Sequence, residues 1–422
     1  MHSLRRKIGA SMEIKRKSKE VLPVLFTTVQ KTYTSIDWLE FLSQVSPVGV
    51  HRLFQDDTFM VKAPPTENLI KLDAVLRDAS KTVFSNLVMT GYIKSWLDWM
   101  DKRFAALAAR AEGKQRRTEQ CFSWVKGHFN QALHAAHARF VNAHQANRVL
   151  TDISDNLRNA FIQMVNEKRN WTNNTKEALI RKMRKMGRNL GFSDLALGNL
   201  EDLDYLYSEY IQVASPDGLK FLEIENMFER ISLEYEYGSL NNATVSGKDA
   251  KRRERIMYAF NAGYDARHNK FQIGTTLLQF PAFSYSLPKQ GYSSFYNYGY
   301  IGGAIMGHEM MHAYDIQSIN RNENGVPSPL WLPDDFRKSH DLKMNLLQNM
   351  YQKHFEILGY DHLMKSTKQE NFADTQGLIL AYRAYQNAKR EGKTEPRISS
   401  IPDFSDNQLF FLSYAQASNI PS

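Results

Sequence analysis

The 422-residue sequence has one cysteine, Cys121. A single thiol closes no internal disulfide, so a disulfide-stapled scaffold is excluded. No run approaches the roughly 18 consecutive apolar residues of a membrane span. A signal-peptide core is also missing: Val21-Leu22-Pro23-Val24-Leu25-Phe26 is short, broken by proline and followed by no small-residue cleavage pattern. There is no internal repeat, no long low-complexity segment and nothing resembling an RNA- or DNA-binding motif. What is present is ordinary globular composition. Hydrophobic residues make up 42% and charged residues 23%, which excludes a wholly disordered chain. The length is enough for two to three domains and a sizeable core.

Charge is unevenly spread. The net charge is +9, and residues 1–20 hold seven Lys or Arg against Glu13 and Glu20. This basic arm reads as a solvated terminus rather than a nucleic-acid contact. Residues 21–240 then read as a helical lobe. Residues 35–44 open with a Ser/Asp start, and residues 66–112, 119–147 and 151–168 carry apolar residues at helical spacing. A helix restart is expected at Trp171 to Glu177, with Thr or Asn as cap. The basic run Arg181, Lys182, Arg184, Lys185 and Arg188 reads as a solvated helix face. A polar, glycine-containing linker covers Ser239 to Ala250. Short strands are expected at Ile256–Phe260 and Phe271–Leu278, with a turn-rich stretch between them.

The segment Gly307-His308-Glu309-Met310-Met311-His312 is an HExxH sequence. Positions i and i+4 share a helix face, so His308 and His312 can reach one ion. Glu309 sits beside them, where it can take a proton from water. The small residues Gly302, Gly303 and Ala304 just before suit a buried helix packed closely beneath a cleft. A catalytic zinc commonly has three protein ligands and one open position. Glu370-Asn371-Phe372-Ala373-Asp374 supplies the carboxylates, with Glu370 and Asp374 again four apart. Glu370 is then the third ligand or, alternatively, a carboxylate stabilised by the start of its helix; spacing alone allows both. Asp374 or Asp315 can accept the spare ring N–H of a liganding histidine. The remaining histidines, His128, His134, His137, His144, His340, His354 and His362, have no ligand spacing tied to this helix. The Met-rich helices read as packing.

These blocks together resemble the neprilysin and endothelin-converting-enzyme metallopeptidases. Gly307 to Asp315 looks like that family's zinc helix, and Glu370 to Asp374 looks like its third-ligand motif. Ala381 to Gln386 and Leu409 to Gln416 are similar to the blocks that follow. Ser35 to Leu42, Cys121 to Phe129 and Trp171 to Met183 fit its helical part. The resemblance implies a mainly α fold with a small β element. A helical lobe and a thermolysin-like (zincin) α+β catalytic lobe, residues 241–422, would flank a central cleft. It implies a zinc-dependent endopeptidase acting on small peptides, with one Zn2+ per chain held by His308, His312 and Glu370. Glu309 would be general base and then acid, with Asp374 and Asp315 orienting the histidines. Asn261 and Ala262 would hold substrate backbone by strand addition. Leu277, Phe283 and Ile305 would line a hydrophobic pocket.

Against the family the chain reads as short at both ends. It ends six residues after Gln416, without the family's C-terminal tail that carries an oxyanion-stabilising histidine and a substrate-binding arginine. The alternative expectation is therefore an impaired relative that binds zinc and peptide without efficient turnover. Thr375-Gln376-Gly377 replaces a usual Asn-Gly-Gly run, and Gly263 replaces a usual aromatic residue. The family is often membrane-anchored, which implies a plasma-membrane or extracellular setting, and the sequons at Asn170, Asn173 and Asn242 suit it.

Overall fold

The computed structural model describes residues 23–62, 66–100, 103–104, 117–214, 220–238, 240, 260–279, 283, 294–328, 330–359, 367–390 and 402–417. The basic arm, most of the expected linker and the expected strand at residues 256–259 lie outside them. Two short strands, β1 (Val24–Leu25) and β2 (Met60–Val61), pair antiparallel around α1 (Phe26–Thr32) and α2 (Trp38–Val45). Longer helices follow: α3 (Thr66–Arg77), α4 (Lys81–Trp96), α5 (Arg117–His128), α6 (Asn130–Phe140), α7 (Ala143–Asn166) and α8 (Asn173–Lys185). Strand β3 (Gly187–Asn189) precedes α9 (Leu200–Ala214) and α10 (Phe221–Gly238). Strands β4 (Ala262–Asp265) and β5 (Lys270–Ile273) lead to the HExxH segment, α11 (His308–Met311). The chain ends with α12 (Asp334–Leu358), α13 (Lys368–Arg390) and α14 (Asp406–Ala417).

Contacts divide the chain into two compact units, and they are not sequential halves. One comprises Met1–His128 with Asp204–Arg253, the other Phe129–Leu203 with Glu254–Ser422. The division expected near residue 240 therefore differs from the observed one. The reason lies in α7, whose buried residues Ala146, Leu150, Ile153, Leu157, Ala160 and Phe161 recur at three- and four-residue spacing. That stripe packs on α13 and on the helix leading into HExxH, so α7 belongs to the core beneath the site.

The first unit has its own core, in which Phe26, Val50 and Phe54 pack with Leu39, Leu42 and Tyr237. Asp37 caps α2 by accepting from the amide of Glu40 at 2.9 Å, as the Ser/Asp start implied. In the second unit α7 is one continuous helix. The break expected between residues 147 and 151 falls instead at Asn142, whose side chain accepts from Gln145 N. Thr172 caps α8.

The three-stranded sheet runs in the order β3-β5-β4. Strand β3 is parallel to β5, and β4 is antiparallel to β5 with Tyr264 opposite Phe271. The stretch that reads as turn-rich from its residues thus opens with an edge strand, at the place where the family resemblance gives Asn261 and Ala262 a strand-pairing role. The turn itself is four residues, Ala266 to Asn269. Asp265 accepts from Arg267 N, and Asn269 adopts φ 47°, a conformation asparagine tolerates. After β5 the chain makes a short 3-10 turn at Thr275–Leu277 rather than continuing as strand.

Candidate metal centre

The HExxH segment is entered through a wide helix, Tyr298–Gly307, with i→i+5 hydrogen bonding. It is buried between α13 and α14. Its glycines allow close approach: a Cβ on Gly303 would lie 3.0 Å from the Tyr414 ring, and one on Gly307 would lie 2.7 Å from Gly377 O. Helix α13 therefore crosses almost backbone to backbone beside His308. Glu370, Asp374 and Gly377 stand at i, i+4 and i+7, on one face of α13. The crossing at Gly377 delivers both carboxylates to the two histidines.

Three donor atoms converge. Nε2 of His308 lies 3.0 Å from Nε2 of His312, and Glu370 Oε2 lies 3.2 and 3.5 Å from them. Each histidine is held from behind. His308 Nδ1–H donates to Asp374 Oδ1 at 2.7 Å, and His312 Nδ1–H donates to Asp315 Oδ2 at 3.1 Å. Asp315 is buried and fixed in turn, because its Oδ1 accepts from the amides of Gln317 and Ser318. Tyr414 on α14 donates to the carbonyl of Asp374.

This arrangement fits a zinc ion on its chemistry. With both Nδ1 protons committed to carboxylates, the two Nε2 lone pairs and a carboxylate oxygen point at one another. Three acceptors this close repel unless a cation lies among them. A tetrahedral zinc with bonds of about 2.0–2.2 Å spaces its donors about 3.3 Å apart, close to the observed triangle.

The titration shifts show the same demand for positive charge. Burial opposes a charged His308, yet hydrogen bonds to Asp374 and Glu370 and the charge of Glu309 raise its pKa to about 9. Burial likewise opposes a charged His312, but Asp315, Glu370 and Glu309 raise its pKa to about 10. Hydrogen bonds from the two histidines hold Glu370 well below the usual carboxylate range. Glu309, only 8% exposed, moves the other way: burial raises its pKa, with the nearby histidines opposing.

The other expected site residues have different settings. Ala262 opens edge strand β4, and Asn261 precedes it, exposed, with Oδ1 accepting from Ala262 N. Leu277 and Phe283 are fully buried core side chains, and Ile305 is half-buried on the wide helix. Met306, Met310 and Met311 are buried in packing positions.

Two residues of the expected solvated basic face depart from that role. Lys182, read as part of a solvated basic face, is wholly buried in α8. Arg188 is also half-buried, paired with Asp155 at 2.5 Å. A second donor group, His128, Glu225 and Glu229, occurs in the first unit. There Glu225 Oε2 already accepts from Trp124 Nε1 at 2.5 Å and lies 3.2 Å from His128 Nε2, so a hydrogen-bonded pair accounts for it.

The fold is mainly helical with a small sheet, and fits a helical lobe with a zincin lobe. Profiles of peptidase family M13 match residues 6–193 and 261–419, and the chain belongs to that family. It is 25% identical over 397 residues to neprilysin-11 of Caenorhabditis elegans, covering 90% of this chain and 44% of that protein. Human neprilysin is 25% identical over 389 residues, covering 90% of this chain and 49% of neprilysin. The fold is similar to Mycobacterium tuberculosis zinc metalloprotease Zmp1, with TM-score 0.74 and 18% identity over 98% of this chain and 62% of that one. The chain spans about half the length of the curated relatives it matches.

Proposed function

We propose that this chain is a zinc-dependent endopeptidase of small peptides, with the ion held by His308, His312 and Glu370. The observation that carries the reading is the triangle of three acceptor atoms whose histidines are oriented from behind by Asp374 and Asp315. Membership of peptidase family M13 supports the peptide bond as the target. Zinc in such a site supplies Lewis acidity, polarising a carbonyl and lowering the pKa of water to about 7.

The protein's own residues do the rest. Glu309 is buried and its pKa is raised, which suits a group that must both accept and return a proton near neutrality. Its carboxylate takes the proton of the attacking water and delivers it to the leaving amine. Edge strand β4, from Asn261 and Ala262 onward, lies on the outside of its sheet and is suited to pairing with an extended peptide. Leu277, Phe283 and Ile305 would set the apolar side-chain preference. The family resemblance implies a membrane-surface or extracellular setting, while among the described residues no helix is long and apolar enough to cross a membrane.

The test is zinc content with peptide hydrolysis. About one zinc per chain, with cleavage of short hydrophobic peptides lost on chelation and restored by zinc, is the expected result. A chain without bound zinc overturns the reading. Bound zinc and bound peptide without turnover would select the impaired relative.

A further inference from the structure

We propose that Lys182 is a positioning residue of the metal centre: its ammonium clamps the loop after the HExxH helix and thereby fixes Asp315 against His312. The inference rests on the zinc site proposed above. Lys182 is 0% exposed, which for a lysine requires compensation. Its Nζ donates to Ser318 O at 2.7 Å and to Arg321 O at 2.8 Å. The rings of Tyr314 and Trp331 lie 5.7 and 5.1 Å from the same nitrogen, within cation–π range.

The clamped loop carries Asp315. Asp315 Oδ1 accepts from Gln317 N and Ser318 N, and its backbone carbonyl accepts from Ile319 N. Residues 315–321 are thus one hydrogen-bonded knot, and Lys182 holds two carbonyls on its far side. Holding Ser318 holds the amide that grips the Asp315 carboxylate, whose other oxygen meets His312 Nδ1. Further bonds tie α8 to the same region. Tyr314 OH donates to Leu179 O, and Asn269 Nδ2 bridges Lys182 O and Glu323 O.

An apolar side chain would fill this space without the desolvation penalty of an ammonium. Burial indeed pushes the Lys182 pKa down to about 7, with the charge of Asp315 acting against that shift. What the lysine adds is directional: two of its N–H groups meet the two fixed carbonyls of Ser318 and Arg321. Loss of a group that orients a liganding histidine typically weakens metal binding about 10–100-fold.

The experiment compares zinc affinity, by chelator competition, and the visible spectrum of the cobalt-substituted chain. The proteins are wild type, Lys182→Met, Lys182→Gln and the control Arg181→Met, whose exposed side chain pairs with Glu323. The clamp predicts zinc binding weakened by up to about 10-fold in both Lys182 variants, less than for loss of the Asp315 charge itself, with changed cobalt bands, and wild-type behaviour in Arg181→Met. Lys182→Gln keeps a polar head and stands in if the methionine variant fails to fold. A folded Lys182 variant with wild-type zinc affinity and cobalt spectrum overturns the clamp alone. Failure of the wild type to bind zinc overturns the metal centre beneath it.

Discussion

Gly307 and Gly377 meet backbone to backbone. A methyl group on Gly377 would lie 2.6 Å from the amide nitrogen of His308, and one on Gly307 would lie 2.7 Å from the carbonyl of Gly377. This contact sets the distance between the helix that bears the histidines and the helix that bears Glu370 and Asp374. Gly377→Ala forces the two apart. The expected cost is ~1–3 kcal/mol of stability, as for overpacking. Zinc affinity should fall with it, because the donor triangle opens. Denaturant unfolding and zinc titration of the variant check both. Unchanged zinc affinity would show that the crossing does not set the site.

Asp374 and Asp315 each orient one histidine from behind. Asp374→Asn and Asp315→Asn keep the shape but lose the charge that fixes the Nδ1–H tautomer. Each is expected to weaken zinc binding about 10–100-fold. Asp315→Asn should be the more destabilising, since Asp315 is buried and also holds two amides. Chelator competition and thermal melting separate the two effects.

Removing zinc should destabilise the second unit. Three acceptors left facing one another either repel or take up protons. A ligand bound only to the native state raises stability with its concentration relative to Kd. Melting followed with and without a chelator should show a lower midpoint without zinc. An identical midpoint would mean the triangle holds no ion.

Acid sensitivity should arise at His134, far in sequence from the HExxH segment. Its ring is 1% exposed and stacks on Phe192 at 5.1 Å. Burial, with the charge of His137, lowers its pKa from 6.5 to about 4. Between those values the unfolded chain binds a proton that the native chain does not. The contribution is therefore full above pH 6.5 and is lost as pH falls towards 4. By pH 5 the loss is roughly 2 kcal/mol. Burial lowers the pKa of His137 as well and acts in the same direction. Urea unfolding of wild type and His134→Gln at pH 7 and pH 5 reads the difference. The variant should show the smaller pH dependence, and equal slopes would contradict the assignment.

The parts of this site legible in the sequence are the local ones. His308 with His312, and Glu370 with Asp374, are pairs four apart, and helical periodicity alone puts each pair on one face. The cap at Thr172 and the start at Asp37 are equally local. What the sequence hid is long-range. Lys182 looks like its basic neighbours because the carbonyls that bury it lie 136 and 139 residues downstream. Gly377 looks like the one glycine kept in an altered run, Thr375-Gln376-Gly377, until its closeness to His308 is seen. Read from its residues alone, β4 looks like a turn because of Gly263 and its turn-forming neighbours; only the family resemblance points to a strand at Asn261 and Ala262, and pairing with β5 decides it. The grouping of α7 with the HExxH segment rests on a packed face that α13 covers from more than 200 residues away.

The most direct test of the central claim is Glu309→Gln assayed for peptide hydrolysis with its zinc content measured alongside. The substitution keeps the size of a buried side chain and removes its ability to take a proton. Retained zinc, near one per chain, is expected, with hydrolysis reduced by about 10²–10⁴-fold, the usual contribution of general acid–base catalysis. Hydrolysis at the wild-type rate in the zinc-loaded variant would contradict it.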